Sequence, residues 1–238
     1  MNQTLWLEIK LESDGAFSRG DGAAGEVNSE LQQELNGLPY LSGKTLKGLL
    51  SATCAEVLDA LKQSTKKETF EAWRNSAARL FGSPGSKASE SGQLHVGNAC
   101  LPEDLRQAIG QQVQSKQLTR LQVLESLTTI RHQTAMNAET GAALEHSLRA
   151  IRVILRGASF TARLDFISAL DGKKMDAAEH KRDLALLAAC AKTLRRAGAH
   201  RNRGLGKIRV ELYSSDPLTQ DKPDTEALFS PLRAEVKP

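Results

Sequence analysis

The chain has 238 residues, of which 40% are hydrophobic and 25% are charged, and its formal net charge at pH 7 is +4. This balance is typical of a soluble globular protein with one decorated domain or two small ones. Aromatic residues make up only 4% of the chain, which excludes a broad aromatic platform for stacking nucleic-acid bases.

The number and spacing of the cysteines indicate the cellular compartment of the protein. Cys54, Cys100 and Cys190 are odd in number and include no CxxC pair, which argues against a disulfide framework and against a thiolate metal cage. No apolar run reaches the ~20 residues of a membrane helix, and the N-terminus lacks an apolar signal core. We therefore expect a cytoplasmic protein with no membrane partner.

Apolar residues recur with two periods, every second residue as in a half-buried strand or every three to four residues as in an amphipathic helix. Ser42 is the predicted N-cap of the first helix. In chain order, the predicted elements are a strand at 5–11, helices at 44–62, 68–80 and 102–117, strands at 151–155 and 160–166, a helix at 180–196 and a strand at 207–212.

Apart from the two inserted helices, this order is βαββαβ. It predicts a mixed α/β (α+β) fold of the ferredoxin-like type, which also underlies the RNA-recognition motif. We expect one domain over residues 1–213 with an insertion at about 63–148, which is tolerated because loop-closure entropy grows only logarithmically with length. The segment 214–238 contains four of the seven prolines and no apolar period, so we expect a polar tail there.

Three stretches carry functional information, and the first is GLPYLSGKTLKGLL at 37–50. Lys44 and Lys47 lie in the first turn of the predicted helix, where free backbone N–H groups and the helix dipole attract anions. The spacing leaves two interpretations open, a phosphate site or a capped helix with solvated lysines.

The second stretch is LRRAGAHRNRGLGKIRVEL at 194–212, which contains a cluster of basic residues with no acid among them: Arg195, Arg196, Arg201, Arg203, Lys207 and Arg209. Gly198, Gly204 and Gly206 allow the backbone to approach a ligand closely. This pattern favours contacts to a sugar-phosphate backbone rather than to bases. The alternative is an exposed connection that happens to be rich in arginine.

The third stretch is IRHQTAMNAETGAALEHSLRAIRVILRG at 130–157. Its AETG turn signal predicts a protruding hairpin at about 131–149. Arginines would line the base of this hairpin: Arg131, Arg149, Arg152 and Arg156. On the local pattern alone, a plain surface hairpin is the favoured interpretation.

No constellation of residues predicts a metal or cofactor centre. The five histidines show no metal-ligand spacing such as HxxxH, and no nucleophile-elbow, Walker or Rossmann loop occurs. We therefore expect neither a cofactor nor a bound metal.

Together, these stretches resemble the RAMP superfamily of CRISPR-associated proteins, in particular the backbone subunits of type III effector complexes. GLPYLSGKTLKGLL is very similar to a segment of that family, as are RLFGS at 79–83 and GQLHVGNACL at 92–101. QTAMNAETGAALEHSLR resembles the family's thumb hairpin, and RNRGLGKIRV resembles its Gly-rich loop. The resemblance spans about residues 5–212.

The resemblance implies a ferredoxin-like palm with a thumb-like hairpin, and copies or paralogues that stack along a guide RNA. It implies that Met136 and its neighbours at 133–148 wedge into the guide–target duplex, and that the loop at 201–207 holds guide phosphates. The expected partners are CRISPR guide RNA, target RNA and other effector subunits. The expected RNA-binding residues are Lys44, Lys47, Arg131, Met136, Arg149, Arg201, Arg203 and Lys207.

One departure from the family bears on catalysis. Many target-cleaving members carry an aspartate in the loop before the GLPY segment, and here Asn28 stands at the best-matching position. An amide cannot act as a general base or bind a metal as a carboxylate does, so we expect an RNA-binding subunit that does not cleave. Two alternatives remain open: an endoribonuclease dependent on Mg²⁺ or Mn²⁺ that uses Asp21 or Asp14, and a guide-processing enzyme that uses a histidine such as His132.

Overall fold

The computed structural model describes residues 3–18, 30–82, 92–137, 139–144, 147–167 and 176–236. In chain order, its elements are β1 (Gln3–Leu11), α1 (Gly43–Ser64), α2 (Lys67–Phe81), β2 (Leu94–Val96), α3 (Glu103–Gln114), α4 (Arg120–Leu127), β3 (Thr128–Gln133), β4 (Arg149–Ile154), β5 (Ser159–Phe166), α5 (Ala177–Thr193), β6 (Ile208–Tyr213) and α6 (Thr225–Glu235). The mixed α/β class predicted from the sequence is confirmed. No helix among the described residues is both long enough and apolar enough to cross a bilayer.

Four strands form an antiparallel sheet in the order β2-β5-β1-β6. In its register, Leu7 of β1 lies between Ala162 of β5 and Leu212 of β6. Successive strand residues point to opposite faces, and the apolar residues of β1 are therefore buried together on one face of the sheet. The prediction that 5–11, 160–166 and 207–212 share one sheet is confirmed.

Helices α1 and α5 cover this buried face and pack against each other. Leu46 and Leu50 of α1, and Leu186 and Leu187 of α5, are inaccessible to solvent. Burial of each such side chain contributes about 1.5–3 kcal/mol relative to exposure. The helical spacing of these residues in the sequence therefore identifies the side of each helix that packs into the core.

An ion-pair network joins α2 to α5 behind this core. Arg79 of α2 donates through Nε and Nη2 to the two carboxylate oxygens of Asp183, at 2.9 and 2.6 Å. It also contacts Glu179 and the hydroxyl of Ser76. Because Asp183 is only 1% exposed, its charge depends on Arg79 for compensation.

A second, two-stranded sheet pairs β3 with β4, from Thr128 opposite Ile154 to Gln133 opposite Arg149. The prediction that 151–155 belongs to the central sheet is wrong. The outer edge of β5 is taken instead by β2 and the residues after it, since Val96 pairs with Leu164 and Cys100 with Thr161. Alternation at 151–155 correctly indicated a strand, but it carries no information about which strand is its partner.

The predicted helices all form with shifted ends; α5, for example, runs from 177 to 193 where 180–196 was expected. The sequence patterns did not reveal α4, which lies within the predicted insertion, and they indicated β3 only as the first arm of the hairpin expected at about 131–149. The expectation of a tail was also wrong at 225–235, which forms α6: Leu232 is buried, and Glu235 accepts a hydrogen bond from Trp73 of α2. Pro231 lies inside this helix, and a proline in a segment argues against a helix, although Leu228, Leu232 and Val236 recur at helical spacing and pack on the core.

Candidate nucleic-acid interface

The hairpin stretch and the Gly-rich stretch meet near the end of the central sheet where β1 ends, and the stretch at 37–50 follows farther along the same series of contacts. Isolated antiparallel bridges connect them: Gly15 with Ile154, Ala16 with Ala199, Ser18 with Leu31, Gln33 with Pro39, and Leu41 with Ala99. The segment after β1 therefore contacts both the β3–β4 hairpin and the Gly-rich loop, defined here as residues 195–207. The bridges from residue 31 onward continue this connection to the start of α1.

Two residues after β1 fix the Gly-rich loop to the hairpin. The backbone N–H of Lys207 donates to Ser13 Oγ at 2.9 Å, and that of Gly206 donates to the carbonyl of Asp14 at 2.7 Å. The carboxylate of Asp14 points the other way, accepting from Arg131 Nη2 at 2.7 Å and from the backbone N–H of Arg156 at 3.1 Å. Asp14 is thus bonded to both basic segments.

A small apolar cluster supports the same junction. Ile151 and Val153 of β4 are buried against Ala16, and Ala199 and Leu205 of the Gly-rich loop pack onto them. This contact is separate from the main core. This apolar cluster fixes the base of the hairpin and the Gly-rich loop next to each other.

The glycines of the loop serve different purposes. At Gly206 φ is +69°, and a Cβ would lie 2.0 Å from the carbonyl oxygen of Ala197, so this glycine is required by the loop's own packing. Gly204 also has a positive φ, +83°, but a Cβ there would meet nothing within 4 Å. Of these two positions, only Gly204 leaves open space for a ligand to approach the backbone.

Several basic side chains of the region are held by carboxylates. Arg131 is paired with Asp14, and Arg152, which is nearly buried, is paired with Glu30 at 3.2 Å. Lys207 and Arg209 share Glu12, at 2.9 and 3.1 Å. These four cations are partly neutralised within the protein.

Five arginine side chains of the region are exposed and have no carboxylate partner among the described residues: Arg149, Arg156, Arg195, Arg201 and Arg203. The neighbouring Arg196 donates through Nη1 to the carbonyl oxygen of Arg201 at 2.7 Å, which closes the turn that presents Arg201 and Arg203. The unpaired arginines thus lie on the hairpin base and on the Gly-rich loop. The contacts of Asp14 hold these two segments together.

Beyond the β3–β4 ladder, the hairpin narrows and exposes apolar side chains. Met136 bridges Ala143, and the tip is closed by hydrogen bonds from the backbone N–H of Asn137 to Ala142 and from that of Gly141 to Asn137. Met136 is 60% exposed and Leu148 is 64% exposed. Most of the surface of these two apolar side chains is therefore in contact with water.

The start of α1 offers less to an anion than its sequence suggested. The Ser42 hydroxyl accepts from the Thr45 N–H, and the Asn98 side chain accepts from the Gly43 N–H, so two amides of the first turn are already satisfied. Lys47 donates to the carbonyl oxygen of Leu94 at 2.8 Å, and burial lowers the pKa of its ammonium group. Lys44 remains exposed and is the cation of this stretch that is left for a ligand.

The loop residues considered for catalysis fall into two groups. Both oxygens of Asp14 are engaged and its side chain is 12% exposed, so it acts as a structural anchor in this arrangement. Asp21 and Asn28 lie outside the described residues. Among the residues that are described, no three His, Cys, Asp or Glu side chains are grouped so as to hold a metal ion.

Sequence reasoning missed Glu12 and Glu30 as partners of the basic residues. Glu30 is distant in sequence from Arg152, and no spacing rule connects them. In the antiparallel register of β1 and β6, the residues just after β1 lie beside the residues just before β6. The pairing of Glu12 with Lys207 could therefore have been predicted once that register was assumed.

The chain was compared with known proteins. The family model of the RAMP superfamily matches residues 8–209. The fold is similar to a chain in the cryo-EM structure of type III-B Cmr-beta bound to cognate target RNA, with a TM-score of 0.59 and 10% identity over 88% of this chain and 96% of that chain. A chain in the cryo-EM structure of the apo state of type III-B Cmr-beta gives a TM-score of 0.56 and 11% identity, over 88% and 97% of the respective chains. No curated protein matches the sequence.

Proposed function

This chain belongs to the RAMP superfamily, and on that premise we propose that it is an RNA-binding backbone subunit of a type III CRISPR ribonucleoprotein. In this role it holds guide RNA and the guide–target duplex for antiviral defence, next to other effector subunits. Both similar folds come from type III-B Cmr-beta, one of them bound to cognate target RNA, which supports an assembly of this class.

The observation that carries the proposal is the group of five exposed arginines without carboxylate partners on two segments that Asp14 holds together. Cations left unpaired on one surface attract a polyanion. A sugar-phosphate backbone fits them because its charges are evenly spaced and independent of sequence. The loop and the hairpin base would contact successive phosphates.

The exposed tip of the hairpin supports a second contact. Met136 and Leu148 are both largely exposed, and apolar side chains are used by nucleic-acid-binding proteins to separate stacked bases. We infer that the tip enters the guide–target duplex, as the family resemblance implies. Lys44 would add a phosphate contact at the start of α1.

We propose that this subunit binds target RNA without cutting it. Asn28 cannot supply a carboxylate, and Asp14 is occupied by Arg131 and by the backbone of Arg156. The ring of His132 has no hydrogen-bond partner among the described residues that would orient it for acid–base catalysis, which disfavours the guide-processing alternative. Asp21 is the remaining candidate for a Mg²⁺- or Mn²⁺-dependent endoribonuclease.

Cleavage is tested in the assembled complex with guide, labelled target and Mg²⁺ or Mn²⁺. We expect no cut that depends on this subunit, and the same pattern of products with Asp21→Ala. Asn28→Asp reports whether a carboxylate at this position restores a cut. A cut that is lost in Asp21→Ala while RNA binding is retained would replace the binding role with an enzymatic one.

RNA binding is tested with the double variant Arg201→Ala/Arg203→Ala. We expect weaker binding of unrelated RNA sequences to the same extent, because the contacts are to phosphates. The slope of log K against log salt should become shallower by about 0.7 for each phosphate of single-stranded RNA that the variant no longer neutralises. The matched control, Arg74→Ala/Arg233→Ala, removes two exposed arginines from α2 and α6 and should leave the slope unchanged. A change in sequence preference at constant slope would contradict the proposal.

A further inference from the structure

Two like charges face each other on the side of the central sheet that is opposite the helices. Lys10 of β1 stands directly across from Arg209 of β6 in the antiparallel register. Cβ atoms of such partners are about 5 Å apart, and like charges placed there destabilise a sheet. Both side chains are exposed, and Lys10 has no ion-pair partner among the described residues.

Glu12 lies between the neighbouring cations. Its Oε2 is 2.9 Å from Lys207 Nζ and its Oε1 is 3.1 Å from Arg209 Nη2. The hydrogen bond from Lys207, together with the charge of Arg209, holds the pKa of the Glu12 carboxyl below its ordinary value. Two cations therefore share one carboxylate, and Lys10 stands beside them in the register.

Next along the same face, Glu8 of β1 stands across from Glu211 of β6, and Glu211 accepts a hydrogen bond from the hydroxyl of Thr225. Arg163 is paired with Asp165 at 2.9 Å, and the hydroxyl of Tyr213 donates to Glu8 at 3.0 Å. The two glutamates are held by hydroxyl groups, whereas the cluster of Lys10, Lys207 and Arg209 begins where the Gly-rich loop ends. The arrangement of the three cations is one that a second oxyanion would complete.

We propose that Lys10, Lys207 and Arg209 form a further binding site for an RNA phosphate, and that Glu12 occupies this site as an internal competitor until RNA binds. The inference rests on the proposed function and extends its contact surface from the Gly-rich loop onto the open face of the sheet. Glu12 suits this role because its oxyanion already bridges two of the cations. Its partners Lys207 and Arg209 are 62% and 68% exposed, so they can exchange Glu12 for a phosphate without unfolding.

The first test removes two cations with Lys10→Gln/Arg209→Gln in the full chain. Binding of fluorescent single-stranded RNA, followed by anisotropy over a salt series, should weaken. Its salt slope should fall by about 0.7 for each phosphate that is no longer bound. The matched control, Arg163→Gln/Arg74→Gln, removes the same charge from the same face and from α2, and should keep the natural slope. Thermal melting of each variant verifies that it is folded.

The second test removes the competitor. Glu12→Gln should tighten RNA binding by about two- to fivefold, the range expected when one exposed ion pair no longer competes. Glu71→Gln makes the same change in net charge and frees Arg74 of α2, and it should leave the affinity unchanged.

The outcomes separate this inference from the function on which it rests. If Lys10→Gln/Arg209→Gln binds RNA with the natural affinity and slope while Arg201→Ala/Arg203→Ala is impaired, the site on the sheet is wrong and the proposed function stands. If Glu12→Gln binds no more tightly, Glu12 is not a competitor. If neither pair of basic residues affects binding, the proposed function itself fails.

Discussion

Arginines serve opposite purposes in two regions of this molecule. Between α2 and α5, Arg79 is surrounded by acceptors and binds both oxygens of Asp183. In the Gly-rich loop, Arg201 and Arg203 are exposed, and no carboxylate is paired with either among the described residues. In the first region the charge is paired and holds two helices together, and in the second it is exposed to solvent.

The difference follows from solvation. A carboxylate taken out of water, such as Asp183, is tolerated only when a cation and hydrogen bonds compensate its charge. An exposed guanidinium keeps its water and its counterions, and it gains free energy when a phosphate displaces those counterions. The pairing of each basic residue is therefore more informative about function than the net charge of the chain.

The largest effect is expected where the pair is buried. Asp183→Asn should lower the free energy of unfolding by about 3 kcal/mol, because it leaves the Arg79 guanidinium without its main partner. The value lies at the lower end of the range for buried pairs because Arg79 is 21% exposed. Urea denaturation measures the change. At a temperature where the variant is folded, its affinity for RNA should equal that of the natural chain.

A matched variant sharpens this comparison. Glu71→Gln breaks the exposed pair with Arg74 and should change the free energy of unfolding by less than about 1 kcal/mol. Equal losses in Asp183→Asn and Glu71→Gln would show that burial does not distinguish the two kinds of ion pair here.

A smaller effect is expected in the Gly-rich loop, from two glycines with similar backbone angles. Gly204→Ala places an alanine at φ +83° with open space around its Cβ, which should cost about 1–2 kcal/mol for the left-handed backbone alone. Gly206→Ala should cost more, because its Cβ would also strike the carbonyl oxygen of Ala197. Thermal or urea unfolding measures both changes.

RNA binding by the same two variants distinguishes a glycine needed for loop packing from one needed for close approach of the RNA. Gly206→Ala should weaken binding by displacing the loop that it closes. Gly204→Ala should weaken binding, while the chain remains folded, only if the RNA backbone comes close to this residue. A Gly206→Ala variant with natural stability would contradict the packing role assigned to this glycine.

Local patterns predicted most of the elements but not all of their partners. The alternation around Leu7 and the helical spacing of Leu46 and Leu50 each report a buried face, so β1 and α1 could be placed from the sequence. The strand at 151–155 was also located correctly, but its partner is β3, and the edge of the central sheet is taken by β2. Partner choice depends on contacts distant in sequence, which local periodicity does not encode.

The candidate site, like the fold, could be predicted from the sequence only in part. The sequence showed that 195–209 is rich in arginine, yet it could not show that Lys207 is partly neutralised by Glu12 or that Lys47 bonds to a backbone carbonyl. Nor could it show that Asp14, a candidate catalytic residue, anchors Arg131. Each of these facts depends on which side chains the fold brings within about 3 Å of one another, the range of a hydrogen bond.

The most direct test of the RNA-binding role is the salt dependence of RNA binding by the natural chain. Two single-stranded RNAs of equal length and unrelated sequence are titrated over a salt series. We predict equal affinities and a common, steep slope of log K against log salt, near −0.7 for each phosphate contacted. Absence of binding, a slope near zero, or a strong preference for one of the two sequences would contradict this role.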